Sequence, residues 1–258
     1  MTADQLRSTC FVAGLVLFGL LEWLEPRAPL SEPRRVRWTA NLGLAALNAI
    51  VLRLQIGAIF FAWVIWVERQ GIGLFGWLTW PGWVEVLLTV VLLDYSFYLF
   101  HQWLMHRWPF GWRFHKVHHT DLNLDVTTAS RFHLGELIIS MLYTAIVVAI
   151  IGAPLAGVVA YEAAKLAAAQ FNHSRLRLPR RFERVLGWVV VTPAIHWLHH
   201  SWEPQELNSN YSNIFSLWDR IFRTFRGEAD ESKLVLGLKG HREGNRLRLP
   251  DIFAIPFR

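Results

Sequence analysis

The chain has 258 residues, of which 53% are hydrophobic and 18% are charged, and its formal net charge is +6. Its single cysteine, Cys10, excludes an internal disulfide and any cysteine-rich zinc or iron–sulfur site. The apolar residues lie in long runs, which is typical of an integral membrane protein. No nucleic-acid-binding motif accompanies the positive charge, so we attribute that charge to contacts with anionic lipid headgroups.

The apolar runs predict an all-α fold, an integral membrane bundle of about four transmembrane helices. They lie at residues 9–25, 41–67, 83–104, 134–151 and 155–171. We expect no cleavage after the first run, so it stays in the mature protein. Arg53 and Gln55 interrupt the second run. The last two runs meet at Gly152-Ala153-Pro154, which predicts a turn between paired helices that cross the membrane or dip into it.

Two later segments predict helices on the membrane surface. Residues 185–198 are apolar but only about 14 residues long, which is short for a crossing. Apolar and basic residues alternate at helical spacing over 210–225. We therefore predict one domain, 1–258, with transmembrane helices in 9–67, a catalytic core in 83–200 and a cytoplasmic amphipathic C-terminal segment in 201–258.

The basic residues predict the orientation in the membrane. Of the 26 Lys and Arg residues, 22 lie in the segments 26–40, 105–133, 172–184 and 201–258. Four spans that start outside place all of these segments on one side, and the cytoplasmic side carries the excess of basic residues. The small size and the lack of a retention signal favour a bacterial inner membrane.

The histidines predict a metal centre on that cytoplasmic side. One H-x4-H and two H-x2-H-H motifs account for eight of the 11 histidines. Ten lie between residues 101 and 200, namely His101, His106, His115, His118, His119, His133, His173, His196, His199 and His200. Imidazole binds first-row transition metals through one ring nitrogen, so these rings can surround two ions. The eleventh, His241, is expected to be a surface residue.

Two carboxylates are candidate catalytic residues beside this centre. Asp94 lies seven residues before His101 on the same helix face, so we predict that it accepts the imidazole N–H. The alternative for Asp94 is a hydrogen bond to Tyr98 or to the backbone. Glu136 lies one turn after His133 and orients it or supplies an oxygen ligand, unless it is an exposed carboxylate at a helix start.

Two further acidic residues have structural alternatives. Glu162 and Lys165 lie one turn apart, which favours an ion pair between them. Asp219 either braces a histidine or pairs with Arg223.

The number of histidines limits the choice of metal. An all-nitrogen site suits Zn, Cu, Fe or Ni, and zinc is expected to close at four ligands. Nine or ten histidines therefore indicate two ions of higher coordination number. Iron satisfies that requirement and also supplies redox chemistry.

Residues 94–136, 171–174, 192–200 and 208–222 resemble the fatty acid hydroxylase and sterol desaturase superfamily. The resemblance implies a membrane-bound, non-haem di-iron enzyme that uses O2 and two electrons to hydroxylate or desaturate a lipid. The implied ligands are the ten histidines above, with His133 as the tenth. Fatty acid 2-hydroxylases have H-x3-H where this chain has Ala169 and His173. Either His133 or a water fills that position, or the site is less symmetrical.

The resemblance also implies an external electron donor, because no dinucleotide fingerprint, haem motif or fused cytochrome b5 motif occurs. A ferredoxin, or a cytochrome b5 with its reductase, is expected to dock near Arg107, Arg113 and Lys116. One alternative is a zinc-dependent membrane lipid hydrolase, disfavoured because H-E-x-x-H is absent. The other is a non-catalytic metal-binding membrane protein, disfavoured because inward-facing ligands make a saturated site. Residue spacing does not identify the lipid, and it does not distinguish hydroxylation from desaturation.

Overall fold

The computed structural model describes residues 3–24, 26–27, 33–51, 57–77, 80–228, 230, 233–242 and 248–258. Throughout these residues the regular structure is helical, without a β-strand, which confirms the predicted all-α class. The α-helices are α1 Ala3–Leu24, α2 Arg34–Val51, α3 Gly57–Gln70, α4 Gly82–Leu99, α5 Pro109–His119, α6 Leu134–Ile151, α7 Leu155–His173, α8 Arg180–Leu186, α9 Pro193–His199, α10 Pro204–Leu207, α11 Leu217–Ile221 and α12 Leu249–Ala254. A π-helix, Phe100–Arg107, continues α4 directly.

Three helical stretches of the described chain are long and apolar enough to cross a membrane. They are Gly57–Trp77, Gly82–Arg107 and Leu134–Ile151, and Ser8–Leu24 is a shorter apolar helix. Large apolar side chains such as Leu142 and Ile146 of α6 are exposed on the outside of this bundle, as lipid-facing residues would be. The core between α3, α4, α6 and α7 is apolar and buries residues such as Val64, Leu93 and Val158.

Helices α6 and α7 are joined by a turn at residues 152–154, and we call the two helices the α6–α7 hairpin. Gly152 ends α6 with a φ of 74°, a left-handed conformation that glycine adopts without strain. The turn after α3 packs against this hairpin so closely that a Cβ at Gly73 would lie 2.3 Å from the Gly152 nitrogen. Both turns therefore lie at one end of the bundle, and the histidine-bearing ends of α4, α6 and α7 meet at the other.

The predicted span 41–67 is wrong in its bounds, because α2 and α3 divide it. Residues 52–56, which include Arg53 and Gln55, lie outside the described residues, as does Glu25 of the first predicted span. One face of α2 buries polar side chains, including Arg37, Asn41 and Asn48, against the turn at 126–130 and against α12. We call α2, α5, residues 120–133 and residues 174–258 the cap, because they lie at the histidine end.

The two segments predicted as surface helices are not continuous helices. Residues 185–198 form the end of α8 and most of α9, and Val190 between them makes an isolated β-bridge with Phe215. Residues 210–225 contain only the short helix α11. Both segments make backbone hydrogen bonds to each other, which interrupts the helical pattern read from their sequences. Residues 191–200 lie in the interior of the cap and not on its surface.

Candidate metal centre

Nine of the ten predicted histidines lie together in two groups. Within each group, one ring nitrogen per histidine lies within 4.8 Å of the others. Site 1 comprises His101, His106, His115, His119 and His199, and site 2 comprises His118, His173, His196 and His200. All are buried except His106, which is half-buried.

The two H-x2-H-H motifs each contribute to both sites. On α5, His115 and His119 are one turn apart and face site 1, whereas His118 faces site 2. The second motif reverses this pattern, because its outer pair faces site 2 and His199 faces site 1. Residues four apart share a helix face, so the middle histidine of each motif is the one that points elsewhere. The same two segments thus contribute to both sites, while the π-helix supplies the other two histidines of site 1 and α7 supplies the remaining one of site 2.

The H-x4-H motif depends on the π-helix. Residues five apart in an α-helix project about 140° from each other, which would separate the two imidazoles. The wider π-helix bonds each residue to the fifth before it, as in the Trp108 N–H bond to the Trp103 carbonyl at 2.9 Å. The rings of His101 and His106 consequently lie on one face, with their centroids 5.0 Å apart.

Four imidazoles are oriented by hydrogen bonds from Nδ1. His101, His199 and His173 lie 2.6, 2.7 and 2.7 Å from the main-chain carbonyls of Tyr211, Ser209 and Ala169, respectively. The Nδ1 atom of His115 lies 2.8 Å from Oε1 of Glu136. A carbonyl oxygen only accepts, so Nδ1 carries the proton and Nε2 presents its lone pair to the centre.

The Nε2 atoms converge as the ligands of a bound cation do. His101 and His115 approach each other through Nε2 at 3.0 Å, although both rings hold their proton on Nδ1. Likewise, Nε2 of His173 lies 2.9 Å from Nε2 of His118 and 3.0 Å from that of His196. Facing lone pairs repel unless a positive charge lies between them, so the residues of each site fit a bound metal ion.

The number of imidazoles in site 1 bears on the choice of metal. Its five histidines exceed the four ligands of a structural zinc.

Burial keeps the cap imidazoles neutral. Desolvation, reinforced by the neighbouring rings, lowers the pKa of His118, His119, His196 and His200 well below the ordinary value. Burial lowers the pKa of His199 to about 3, despite its bond to the Ser209 carbonyl. Neutral imidazole is the form that binds metal, so the pocket favours ligation at pH 7.

His133, the predicted tenth ligand, belongs to neither group. Its Nδ1 accepts the Gly135 N–H at 3.0 Å and caps the start of α6. Its ring lies between those of Phe114 and Phe253, with centroid distances of 5.2 and 4.8 Å. The centre is therefore unequal, with five histidines against four. His241 likewise lies outside both groups.

Asp94 is buried, but it does not contact His101. Its oxygens accept the N–H groups of Ile214 and Phe215 at 3.2 and 3.1 Å and the indole N–H of Trp218 at 2.8 Å. The predicted bond to the His101 imidazole is not made, and Asp94 instead forms the alternative that the sequence left open, a hydrogen bond to the backbone. Asp94 and His101 thus bond to different parts of the same later segment of the chain.

Glu136 orients a different histidine from the one predicted. It is buried, and it accepts from His115 on α5, not from the preceding His133. The turn of α6 directs Glu136 towards α5, while the His133 ring turns back to cap the helix. Its second oxygen has no hydrogen-bond partner.

The sequence did not reveal the loop that holds site 1. Residues 208–216, which we call the carbonyl loop, supply the Ser209 and Tyr211 carbonyls described above. Asp219 braces this loop by accepting the N–H groups of Tyr211 and Ser212 at 2.8 and 2.9 Å. It thus acts on His101 through the loop, and it makes no ion pair with Arg223 in the described residues. Main-chain carbonyls leave no signature in a sequence.

A buried ion-pair network holds the segment after α5. Arg37 of α2 donates to Asp121 at 2.9 Å and to Asp125 at 2.5 Å. The guanidinium groups of Arg37 and Arg131 hold the pKa of Asp121 well below its usual range despite its burial. The expected contact of basic residues with lipid headgroups does not hold for these two arginines, because both are buried, as are Arg27 and Arg175. Glu162 and Lys165 form the predicted ion pair at 2.6 Å.

Aromatic rings close the centre from the surface. Trp112 packs against His106 with a centroid distance of 5.2 Å, and Tyr211 lies 5.1 Å from the same ring. Phe132 stacks on His118 at 4.5 Å. Such rings exclude bulk water from the ligand nitrogens.

An all-helical bundle with membrane-spanning helices and a paired polyhistidine site defines a class of membrane metalloprotein. The fatty acid hydroxylase profile matches residues 86–224, and the chain belongs to this family. The superfamily resemblance predicted from the sequence is confirmed. No solved structure matches the chain.

Several curated proteins are similar to the chain. Over 161 residues it is 28% identical to the ornithine lipid hydroxylase OlsE of Rhizobium tropici, covering 62% of this chain and 47% of that protein. Over 236 residues it is 28% identical to the alkylglycerol monooxygenase of Xenopus tropicalis, covering 88% of this chain and 48% of that protein. It is 26% identical over 156 residues to the cholesterol 25-hydroxylase of Rattus norvegicus, covering 59% of this chain and 50% of that protein. The chain thus spans about half the length of these relatives.

Proposed function

We propose that this chain is a membrane-bound, non-haem di-iron oxygenase that hydroxylates a lipid with O2 and electrons from an external donor. The observation that carries the proposal is the set of facing Nε2 lone pairs in two adjoining sites. The names of the relatives support it, because they describe hydroxylation of ornithine lipids and cholesterol and oxygenation of alkylglycerols. Desaturation begins with the same hydrogen abstraction and is the near variant.

The histidines of sites 1 and 2 would hold one iron each. Bound iron supplies O2 activation and the redox equivalents that no side chain provides. Zinc fits less well, because site 1 offers five imidazoles, more than the four ligands at which a structural zinc closes.

The protein's own groups orient the ligands and retain protons at defined atoms. The carbonyl loop and Ala169 keep a proton on Nδ1 of three imidazoles, so each Nε2 stays free to ligate. Glu136 does the same for His115, and its negative charge strengthens the donor power of that ring. The Arg37 network fixes the chain between α5 and α6, which limits movement of the ligands.

We place the centre on the cytoplasmic side of a bacterial inner membrane, where the lipid substrate would enter laterally from the bilayer. Exposed basic residues such as Arg35 and Arg181 on the cap support this orientation. An acidic ferredoxin, or a cytochrome b5 with its reductase, would dock beside the exposed Arg107 and Arg113. Trp112 lies between that surface and His106, which makes it a short route for electrons.

Iron content and Mössbauer spectroscopy of detergent-purified protein grown with iron-57 test the proposal. We compare wild type with His115→Ala for site 1, His196→Ala for site 2 and His133→Ala as the control. We expect two irons per chain in wild type and in the control. We expect loss of iron in the other two variants. A lipid product that gains one oxygen in cells expressing wild type alone would then identify the substrate.

Other outcomes would overturn the proposal. One zinc per chain, with lipid cleavage and without O2 uptake, would indicate the zinc-dependent lipid hydrolase. Iron that exchanges freely and supports no oxygen uptake in any lipid mixture would indicate a non-catalytic metal-binding protein.

A further inference from the structure

Two segments of the cap form one continuous surface outside the metal centre. The chain from α8 to Val190 runs beside the chain that leads into α11. The Ser216 N–H donates to the Val189 carbonyl at 3.1 Å, and the Val191 N–H donates to the Ile214 carbonyl at 3.0 Å. These main-chain bonds fix the relative position of the side chains on both segments. We call their outer surface the basic apolar face.

This face exposes many large apolar side chains. Seven of them have between 44% and 70% of their surface exposed, namely Phe182, Val185, Trp188, Val189, Leu217, Ile221 and Phe222. A cluster of exposed apolar residues of this kind marks an interaction site and is unusual on a surface that faces water.

The exposed charges of α8 and α11 and of the residue beside α11 are positive. The exposed arginines are Arg180, Arg181, Arg184 and Arg223. The two acidic residues of α8 and α11 point inward, because Glu183 is buried on Arg27 at 2.5 Å and Asp219 is buried under the carbonyl loop. The exposed Glu228 interacts electrostatically with Arg220, so the arginines outnumber the exposed carboxylates. Apolar residues interleaved with an excess of arginines complement a surface that is both apolar and anionic.

Arg220 shows how a charge is held within the apolar surface. Its guanidinium lies 4.1 Å from the ring centroid of Trp188 and 3.8 Å from that of Phe225. Such stacking retains the positive charge on an apolar support.

The face is also continuous with a candidate membrane-spanning helix. Tyr95 of α4 stacks on Phe222 and packs against Trp218, at centroid distances of 5.7 and 5.1 Å. Tyr95 lies about 20 Å along the helix from Gly82, whereas the hydrocarbon core is about 30 Å thick. A span that begins at Gly82 therefore brings Phe222 to the acyl chains of the near leaflet.

We propose that the basic apolar face is immersed in the headgroup and upper acyl region of the membrane and that its arginines bind anionic phospholipid headgroups. The inference does not depend on the metal or on the proposed reaction. One of the two segments leads into α9, and the other follows the carbonyl loop. Immersion of the face therefore holds both sites at the bilayer surface.

Spin labels on the full-length protein in nanodiscs test the immersion. In a Cys10→Ser background, Val185→Cys and Ile221→Cys place a label on the face, and Gln205→Cys places one on an exposed part of the cap as the control. Power saturation then compares the accessibility of each label to oxygen, which partitions into lipid, and to a nickel chelate, which stays in water. We expect oxygen to dominate at 185 and 221 and the chelate to dominate at 205.

Two results would overturn the immersion. Equal access of the nickel chelate to all three labels would show that the face is in water. Protection from both reagents, with dipolar broadening between labels, would show that a second copy of the chain covers the face.

The choice of lipid is tested by the triple variant Arg180→Gln, Arg181→Gln and Arg184→Gln. Lipid mass spectrometry measures phosphatidylglycerol relative to phosphatidylcholine retained on protein purified from mixed nanodiscs. Wild type is expected to retain phosphatidylglycerol preferentially, and the preference should fall about fivefold for each arginine that reaches the surface. Equal preference in wild type and variant would refute the anionic-lipid assignment, even if the labels report immersion.

Discussion

Glu136→Leu removes the acceptor for the Nδ1 proton of His115 without touching a ligand nitrogen. The two atoms lie 2.8 Å apart, and both side chains are at least nine-tenths buried. The buried Nδ1–H of the variant then has no partner, and the ring loses the bond that aims Nε2 at site 1. Glu136→Gln keeps an amide oxygen in the same place but removes the charge.

The magnitude follows from how such partners act on metal-bound histidines. Removing one typically weakens metal affinity about 10–100-fold, or ~1.4–2.7 kcal/mol. We expect the leucine variant near the upper limit and the glutamine variant near the lower one. Site 2 should keep its affinity, because Glu136 makes its histidine bond to His115 alone among the described residues.

Chelator titration followed by metal analysis measures the effect. At a chelator concentration at which wild type retains both metals, the leucine variant should retain one, with the Mössbauer signal of site 2 preserved. Glu162→Gln is the matched control, because this carboxylate pairs with Lys165 away from the centre. Retention of both metals at wild-type affinity would refute the orienting role of Glu136. Equal loss from both sites would refute the independence of the sites.

Three further changes have expected outcomes. Asp219→Asn places an amide where two N–H groups need acceptors, so the carbonyl loop should loosen and site 1 should lose metal at about tenfold less chelator; unchanged retention would contradict this. His133→Asn should leave metal content unchanged. Burial lowers the pKa of His133 below its value in the unfolded chain. The neutral, capping form therefore stabilises the fold above about pH 6.5, and this stabilisation is lost as the pH falls towards the folded pKa. The wild-type minus variant Tm should therefore decline below about pH 6.5, and a constant difference would disprove the cap assignment. Arg37→Gln removes the ion-pair partner of Asp125 and leaves Asp121 with Arg131 alone, which costs about 3–5 kcal/mol and lowers Tm by about 6–20 °C; an unchanged Tm, as expected for the exposed Arg184→Gln, would show that the network is dispensable.

The parts of the structure that local sequence determines were predictable. The α6–α7 hairpin follows from two apolar runs separated by Gly152 and Pro154. The ligand faces of α5 and α9 follow from histidines three and four residues apart on one helix. Neither prediction required knowledge of distant contacts.

The remaining parts depend on partners far apart in sequence. A count of basic residues does not distinguish Arg37, which is buried on two aspartates, from the exposed Arg35. Asp94 and His101 lie seven residues apart, yet each bonds to the carbonyl loop, which comes from more than 100 residues later. The predicted span 41–67 includes residues of both α2 and α3, because hydropathy averaged along the sequence does not show the polar face that α2 buries.

The π-helix has a consequence for how the first histidine motif tolerates insertions and deletions. Its extra residue per turn lets two histidines five apart share a face, as residues four apart do in an α-helix. Deleting one residue between His101 and His106 would return the segment to α-helical geometry with both imidazoles still on one side. A change from H-x4-H to H-x3-H is therefore a neutral step in backbone register. Motif length therefore records the type of helix in this segment.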